Sequence, residues 1–357
     1  MPATIPIQNL YYLLCYSWNR LAESEIVNVS GIDSTQQVDL FGMVLLRGTR
    51  HLIRRGLERG YQLHSETIPG IRGSINVSTT ARRALLGQGL AHCEFDELTI
   101  NTPANQIIRS TIRHLLKVKE LDKIIHKQLS VLDKELEGID VPRLSKRLFR
   151  TVQLHSNARF YRFVLSICEV ITDSLLINQE TGDLQFRDFL RDERAMARVF
   201  EEFLFNFYRT ERPDLSIRKE RISWSAEADD PSHLAYLPSM ETDISIRSAK
   251  TTLIMDAKYY QSTLTDYYGG QRVHSSNLYQ LFAYLKNLEQ RGGNDAASEG
   301  MLLYPVVDQQ LRLDYSIHGH RVRVCTVDLS QDWKAIKHEL LGLLDSSQGS
   351  VSFGASH

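Results

Sequence analysis

Hydrophobic spacing divides the chain into alternating helical and extended stretches. Residues 5–20 place Leu10, Leu13, Leu14 and the Tyr16–Trp18 run on one side of a short helix, with Asn9 as its expected cap. Leu40, Phe41, Val44, Leu45, Leu52 and Ile53 recur at helical period over 38–60, and Arg47, Arg50, Arg54, Arg55 and Arg59 fall on the other face. Such a basic face is either simply solvated or touches phosphate or an acidic partner. Residues 61–78 read as strands with turns at Pro69-Gly70 and Gly73. Pro103 opens a long helical stretch with Ile107, Ile108, Ile112, Leu115, Leu116 and Leu121 as its stripe. A short basic connector, Pro142 to Arg150, follows and marks the expected domain boundary.

Beyond it the spacing predicts helices near 157–176 and 192–209, then a strand at 215–226 with Trp224 turned inward. Strands at 300–305 and 321–329 and a closing amphipathic helix at 333–344 complete the pattern. The expected division is an α+β domain over 1–150, an α/β domain over 151–346 with a mixed sheet flanked by helices, and a Ser/Gly-rich flexible tail over 347–357.

The chemistry concentrates between Met240 and Tyr260. Thr242, Ile244 and Ile246 alternate with polar residues, and Leu253-Ile254-Met255 is a short apolar run of the kind that fills a buried strand. A tight turn centred on Ala249-Lys250 makes antiparallel partners sum to 499, which sets Asp243 opposite Asp256. Side chains so paired share a face, with Cβ atoms about 4.5–5.5 Å apart. Lys258 lies two residues on and points the same way. Two adjacent carboxylates repel, and one is forced to hold its proton unless a cation intervenes. Mg²⁺ suits such a pair, with water and phosphate completing its shell. Lys258 is then placed to orient a water or to stabilise charge on a phosphate oxygen. The alternative is an edge hairpin with a solvated ion pair, but the apolar run leading into Asp256 argues for a strand that delivers its acid into a cleft.

Composition narrows the setting. The chain has 357 residues, 42% hydrophobic and 24% charged, as in ordinary globular proteins. A net charge of −1 means that any nucleic-acid binding comes from local patches. The four cysteines, Cys15, Cys93, Cys168 and Cys325, form no C-x-x-C pair, so no zinc site or disulfide framework is expected and a reducing cytoplasm fits. The start has neither a basic nor a long apolar segment, and no apolar run approaches a membrane span. No G-x-x-x-x-G-K-[ST] loop occurs, so any nucleotide engine belongs to another subunit.

The spacing of Asp243 and Asp256-x-Lys258 resembles the PD-(D/E)xK nuclease superfamily. Gln280 and Tyr284, four apart on the helix over 277–285, resemble the Gln-x-x-x-Tyr helix of its RecB-like branch. Further stretches resemble the McrC family, the nuclease subunit of the McrBC modified-cytosine restriction systems. They are the opening from Ile5 to Arg20, Ile68-Pro69-Gly70-Ile71-Arg72-Gly73-Ser74-Ile75, Phe95-Asp96-Glu97-Leu98, and Asn101 to Ile108. The resemblance covers most of the chain in the family's order. It implies a Mg²⁺-dependent DNA endonuclease core with Asp243 and Asp256 as metal ligands, Lys258 as the catalytic lysine, and Gln280 and Tyr284 in support. It also implies an N-terminal adaptor that docks on a hexameric AAA+ GTPase ring of McrB type, binder of the GTP, and double-stranded DNA with methylated cytosine as substrate.

Superfamily members often carry a third acid on the helix before the hairpin. Glu193 falls within that helix's apolar stripe and is the candidate, although a first-turn Glu is equally explained by the helix dipole. Arg272 and His274, in the loop Tyr259–Ser276, are candidates for gripping the DNA backbone. A regulatory adaptor without catalysis and a free-standing RecB-type nuclease are the alternatives. The intact Asp243, Asp256 and Lys258 set speaks against the first, and the large N-terminal half against the second.

Overall fold

The computed structural model describes residues 5–345, apart from 25, 28–35, 156, 178–183, 261–264, 268–269 and 308. The tail assigned to 347–357 lies outside the described residues. The chain divides into two compact units, Ile26–Arg187 and a second that joins Met1–Glu25 to Asp188–His357.

This division differs from the one expected at residue 150. The basic connector is not a free linker. Ser145 caps a short helix, Lys146–Arg150, and Ser110 Oγ donates to Pro142 O at 3.1 Å. The next helix, Arg159–Ser174, packs against Gln37–Arg55 and Pro103–Leu115, and so belongs to the first unit. Its Tyr161 hydroxyl donates to Asn105 Oδ1 at 3.0 Å and accepts the Glu58 N–H at 2.6 Å. A basic composition resembles a linker, but apolar stripes decide which helices share a core.

In the Ile26–Arg187 unit these helices are joined by Lys123–Glu135. The single long helix expected after Pro103 is two, because Asp122 caps a new start by accepting from Ile124 N and Ile125 N at 2.8 and 3.0 Å. The strands Gly60–Pro69, Leu90–Thr99 and Ser74–Ile75 form an antiparallel sheet with Leu90–Thr99 in the centre. Gly73 has φ +68°, and a Cβ there would stand 2.3 Å from Glu94 O, so the turn of the Ile68–Ile75 stretch requires glycine.

The other unit carries the mixed sheet. Its helices are α1 (Ile7–Ser17), α2 (Glu193–Glu211), α3 (Ser275–Glu289) and α4 (Trp333–Asp345). The strands are β1 (Ser216–Arg218), β2 (Ile244–Arg247), β3 (Thr252–Ala257), β4 (Glu299–Pro305), β5 (Arg312–Ile317) and β6 (His320–Val327). Their order across the sheet is β5-β6-β4-β3-β2-β1, with β3-β4 and β4-β6 parallel and the other pairs antiparallel. This is the α/β class expected.

Helix α1 packs on α2 through Tyr16, whose ring meets Phe203, Phe207 and Trp333 within 5.8 Å. Asn9 is not the cap of α1. Pro6 holds that position, and the buried Asn9 donates to Leu329 O and Gln331 O at 2.8 and 2.6 Å. Trp224 is also placed otherwise than expected. It is 38% exposed, and its Nε1 donates to Pro238 O, because the strand ends at Ile222 and the chain leaves the core.

Candidate active site

The turn between β2 and β3 sets the register that the spacing predicts. Arg247 faces Thr252, Ile246 faces Leu253, Ser245 faces Ile254 and Ile244 faces Met255. All of β3 is buried, as befits a strand paired on both edges. Asp243 stands just before β2, at a bend rather than in the ladder. Its Oδ2 accepts the Ala257 N–H at 2.9 Å, which folds the carboxylate back across the end of β3. Lys258 continues the line, since its N–H donates to Leu303 O at 3.0 Å.

One end of the hairpin therefore holds all three groups. Lys258 Nζ is 2.8 Å from Asp256 Oδ2 and 3.9 Å from Asp243 Oδ2. Asp256 is fully buried, and despite the ion pair neither of its carboxylate oxygens meets a donor at hydrogen-bonding geometry. Burial pushes the Asp243 carboxyl up to about 7, and the charge of Asp256 adds to that more than Lys258 removes. Burial likewise raises Asp256, against the pull of Lys258. Burial alone would lower Lys258, but Asp256 and then Asp243 outweigh it and hold the ammonium above the ordinary lysine value.

Two buried acids with raised proton affinity and orphaned oxygens suit a hard divalent cation, which takes oxygen donors. Asp243 and Asp256 would hold it. Among the described residues no group of three His, Cys, Asp or Glu is gathered closely enough to bind a metal by protein ligands alone. The pair therefore fits a cation such as Mg²⁺ that keeps water in its shell. Chemistry rather than volume marks the site. A larger groove of about 830 Å³ in the Ile26–Arg187 unit, lined by Phe149, Arg150, Leu154 and Arg162 among others, has Glu169 as its one acid.

The supporting pair is where its spacing places it. Gln280 Nε2 donates to Tyr284 Oη at 2.7 Å, and the Tyr284 hydroxyl donates to Glu241 O at 3.0 Å. Tyr284 thus anchors the chain two residues before Asp243, while Gln280 is exposed beside it. Burial raises the Tyr284 hydroxyl, with Asp256 and Asp243 adding to it. Behind the acids, Tyr260 Oη donates to Asn277 Oδ1 at 3.2 Å and Asn277 Nδ2 donates to Tyr304 Oη at 3.1 Å. His274 stacks on Tyr260, with ring centroids 4.6 Å apart. Arg272 is exposed at the end of a short strand, Gly270–Arg272.

Glu193 does not turn inward. It is exposed in the first turn of α2, which Asp192 caps, and the first buried position of that helix is Met196. Helical phase put Glu193 in the stripe, but the packed face begins a turn later. Glu201 instead acts on both acids, raising Asp243 and Asp256 alike. It forms an ion pair of 2.7 Å with Lys219. Its place at the margin of the α2 stripe was the sequence signal for it.

A residue matched to a protein-family model supplies the remaining test. Residues 7–305 match the model described as McrBC 5-methylcytosine restriction system component. The chain is 38% identical over 341 residues to the Escherichia coli (strain K12) type IV methyl-directed restriction enzyme EcoKMcrBC, covering 96% of this chain and 97% of that one. The chain belongs to the McrC family. Its fold is similar to a chain of the Thermococcus gammatolerans assembly of McrB AAA+ hexamers with bound McrC, at TM-score 0.61 and 16% identity, over 96% of this chain and 76% of that one. Among the described residues of this McrC-family chain, no helix is long and apolar enough to cross a membrane.

The raised Asp243 carboxyl has a measurable consequence. A carboxylate whose folded pKa lies above its unfolded value stabilises the fold fully at low pH and loses that contribution as pH rises through the folded value. In EDTA, thermal stability should fall as pH rises from about 4 toward 7 more steeply in the wild type than in Asp243→Asn. Equal slopes in differential scanning calorimetry would exclude a raised Asp243.

Proposed function

We propose that this chain is the endonuclease subunit of a modification-dependent restriction complex, cleaving DNA phosphodiester bonds by Mg²⁺-dependent hydrolysis. The observation that carries the reading is the buried end of the β2-β3 hairpin, where Asp243, Asp256 and Lys258 converge and the Asp256 oxygens lack hydrogen-bond donors. Asp243 and Asp256 would hold the cation. When bound it supplies charge neutralisation and an activated water. Lys258 is placed to orient that water and to hold charge on a phosphate oxygen. Tyr284, gripped by Gln280, fixes the bend that carries Asp243. Arg272 and His274 would contact the DNA backbone.

The same reading gives the Ile26–Arg187 unit a role as adaptor on an AAA+ GTPase ring, whose GTP hydrolysis it would stimulate. The Thermococcus gammatolerans relative is described with McrB hexamers, which supports such a partner. The antiparallel sheet of this unit exposes Tyr61, Leu63, Ile71 and Leu98, together with Val77 and Leu86 nearby, each 49% or more accessible. Apolar groups so exposed mark an interaction surface. Tyr61→Asp with Leu63→Asp is expected to weaken ring binding by more than tenfold, at about 2 kcal/mol for a residue central to an interface. Unfolding should be unaffected, because neither side chain is buried. Analytical ultracentrifugation checks this, and unchanged binding would move the docking surface elsewhere.

The reading as a whole is tested with plasmid DNA, methylated and unmethylated, in Mg²⁺ and GTP. Cleavage of methylated plasmid only when chain and ring are both present is expected. Cleavage by the ring alone would overturn it.

A further inference from the structure

Lys219 follows directly on β1 and is shared between two carboxylates. Its Nζ is 2.7 Å from Glu201 Oε1 and 2.5 Å from Glu202 Oε1, and it lies 5.6 Å from the Phe205 ring centroid. Consecutive residues of a helix point about 100° apart, so one ammonium reaches both only by drawing the two side chains together. That fixes the direction of Glu201.

The surroundings make the direction matter. One residue before Glu201, Phe200 packs against Tyr259, with ring centroids 6.2 Å apart, and Tyr259 follows Lys258. One residue after Lys219, Glu220 exchanges hydrogen bonds with Thr242. Its N–H donates to Thr242 Oγ1, and Thr242 N–H donates to Glu220 O, both at 3.0 Å. Thr242 precedes Asp243. Lys219 and Glu201 are therefore tied to both chain segments that deliver the acid pair. Glu201 is repelled by Asp243 and Asp256, which on its own would turn its flexible side chain toward solvent. An isolated ion pair at a surface stabilises a fold very little, so stability is a poor reason for a lysine to hold two acids here.

We propose that Lys219 is a positioning residue, which holds the Glu201 carboxylate at the rim of the Asp243–Asp256 pair against their repulsion, so that Glu201 accepts hydrogen bonds from the water ligands of the divalent cation. This rests on the nuclease reading above. Glu201 then acts through water rather than as a direct ligand, in keeping with the absence of a three-acid metal group among the described residues. Partners that orient the water and ligand shell of a metal site change its affinity about 10–100-fold when removed.

The test is calorimetric titration of the full chain with Mn²⁺, without DNA or ring. Lys219→Met is expected to weaken Mn²⁺ about tenfold, and Lys219→Arg to stay within about twofold of wild type. Glu201→Gln should weaken it comparably, and the double variant Glu201→Gln/Lys219→Met no further than Glu201→Gln alone. A wild-type affinity in Lys219→Met, or losses that multiply in the double variant, would overturn the proposal. So would an arginine variant as weak as the methionine one. If instead Asp256→Asn binds Mn²⁺ as well as wild type does, the nuclease reading fails, and the role of Lys219 falls with it.

Discussion

Asp256→Asn is expected to abolish DNA cleavage, lowering the rate by at least about a thousandfold, since a bound cation contributes several kcal/mol to the transition state. The carboxamide keeps the shape of the side chain but removes its charge and one oxygen ligand. Asp256 is fully buried, so water cannot take its place. The loss should not come from unfolding. The wild-type site carries a second buried acid beside Asp243, and the substitution removes that repulsion while Lys258 keeps Asp243 at 3.9 Å. Melting in EDTA should therefore occur no lower than in wild type. Stimulation of GTP hydrolysis in the ring should persist, because the adaptor surface belongs to the other unit. Plasmid cleavage, phosphate release and melting, measured on one preparation, separate these outcomes. A variant that cuts at the wild-type rate would remove the hairpin from the chemistry.

Lys258→Met is the second large effect. Loss of one preorganised group that stabilises developing charge costs about 10²–10³ in rate. Here the lysine also sets the charge state of the acids. It lowers the proton affinity of both Asp243 and Asp256, against the burial that raises them. Without it, the acids hold their protons to higher pH. The residual cleavage of Lys258→Met should thus switch on at a higher pH than wild type, and Lys258→Arg should restore part of that limb. A pH–rate profile in which the acid limb does not move would show that Lys258 has no electrostatic hold on the pair.

The hairpin was legible in the sequence for a physical reason. A tight turn and a short apolar run allow one register, because a slip by one residue would turn Leu253 and Met255 out of the core. The Gln280–Tyr284 contact was equally legible, since helix geometry alone brings residues four apart together. What periodicity could not supply was the phase at which packing starts. Glu193 has the angle of an inward residue but sits a turn before the buried face. Glu201 lies at the margin, and only its pairing with Lys219 from the following strand shows where it turns.

The division of the chain failed to show for a related reason. Tyr16 and Trp333 come from opposite ends of the sequence and meet in one aromatic cluster, a long-range contact that no local pattern announces. The strand Arg312–Ile317 escaped notice because its edge position leaves most of it polar and exposed. The long helix after Pro103 was broken by Asp122, a capping signal outweighed by the continuous apolar stripe around it.

The most direct test of the site locates the cation itself. Fe²⁺ bound in place of Mg²⁺, with ascorbate and peroxide, generates radicals that cut the nearby polypeptide backbone. Cuts are expected near 241–245 and 255–259, and Asp256→Asn should lose them. Cuts confined to other segments, or cuts that survive in Asp256→Asn, would contradict a metal site at Asp243 and Asp256.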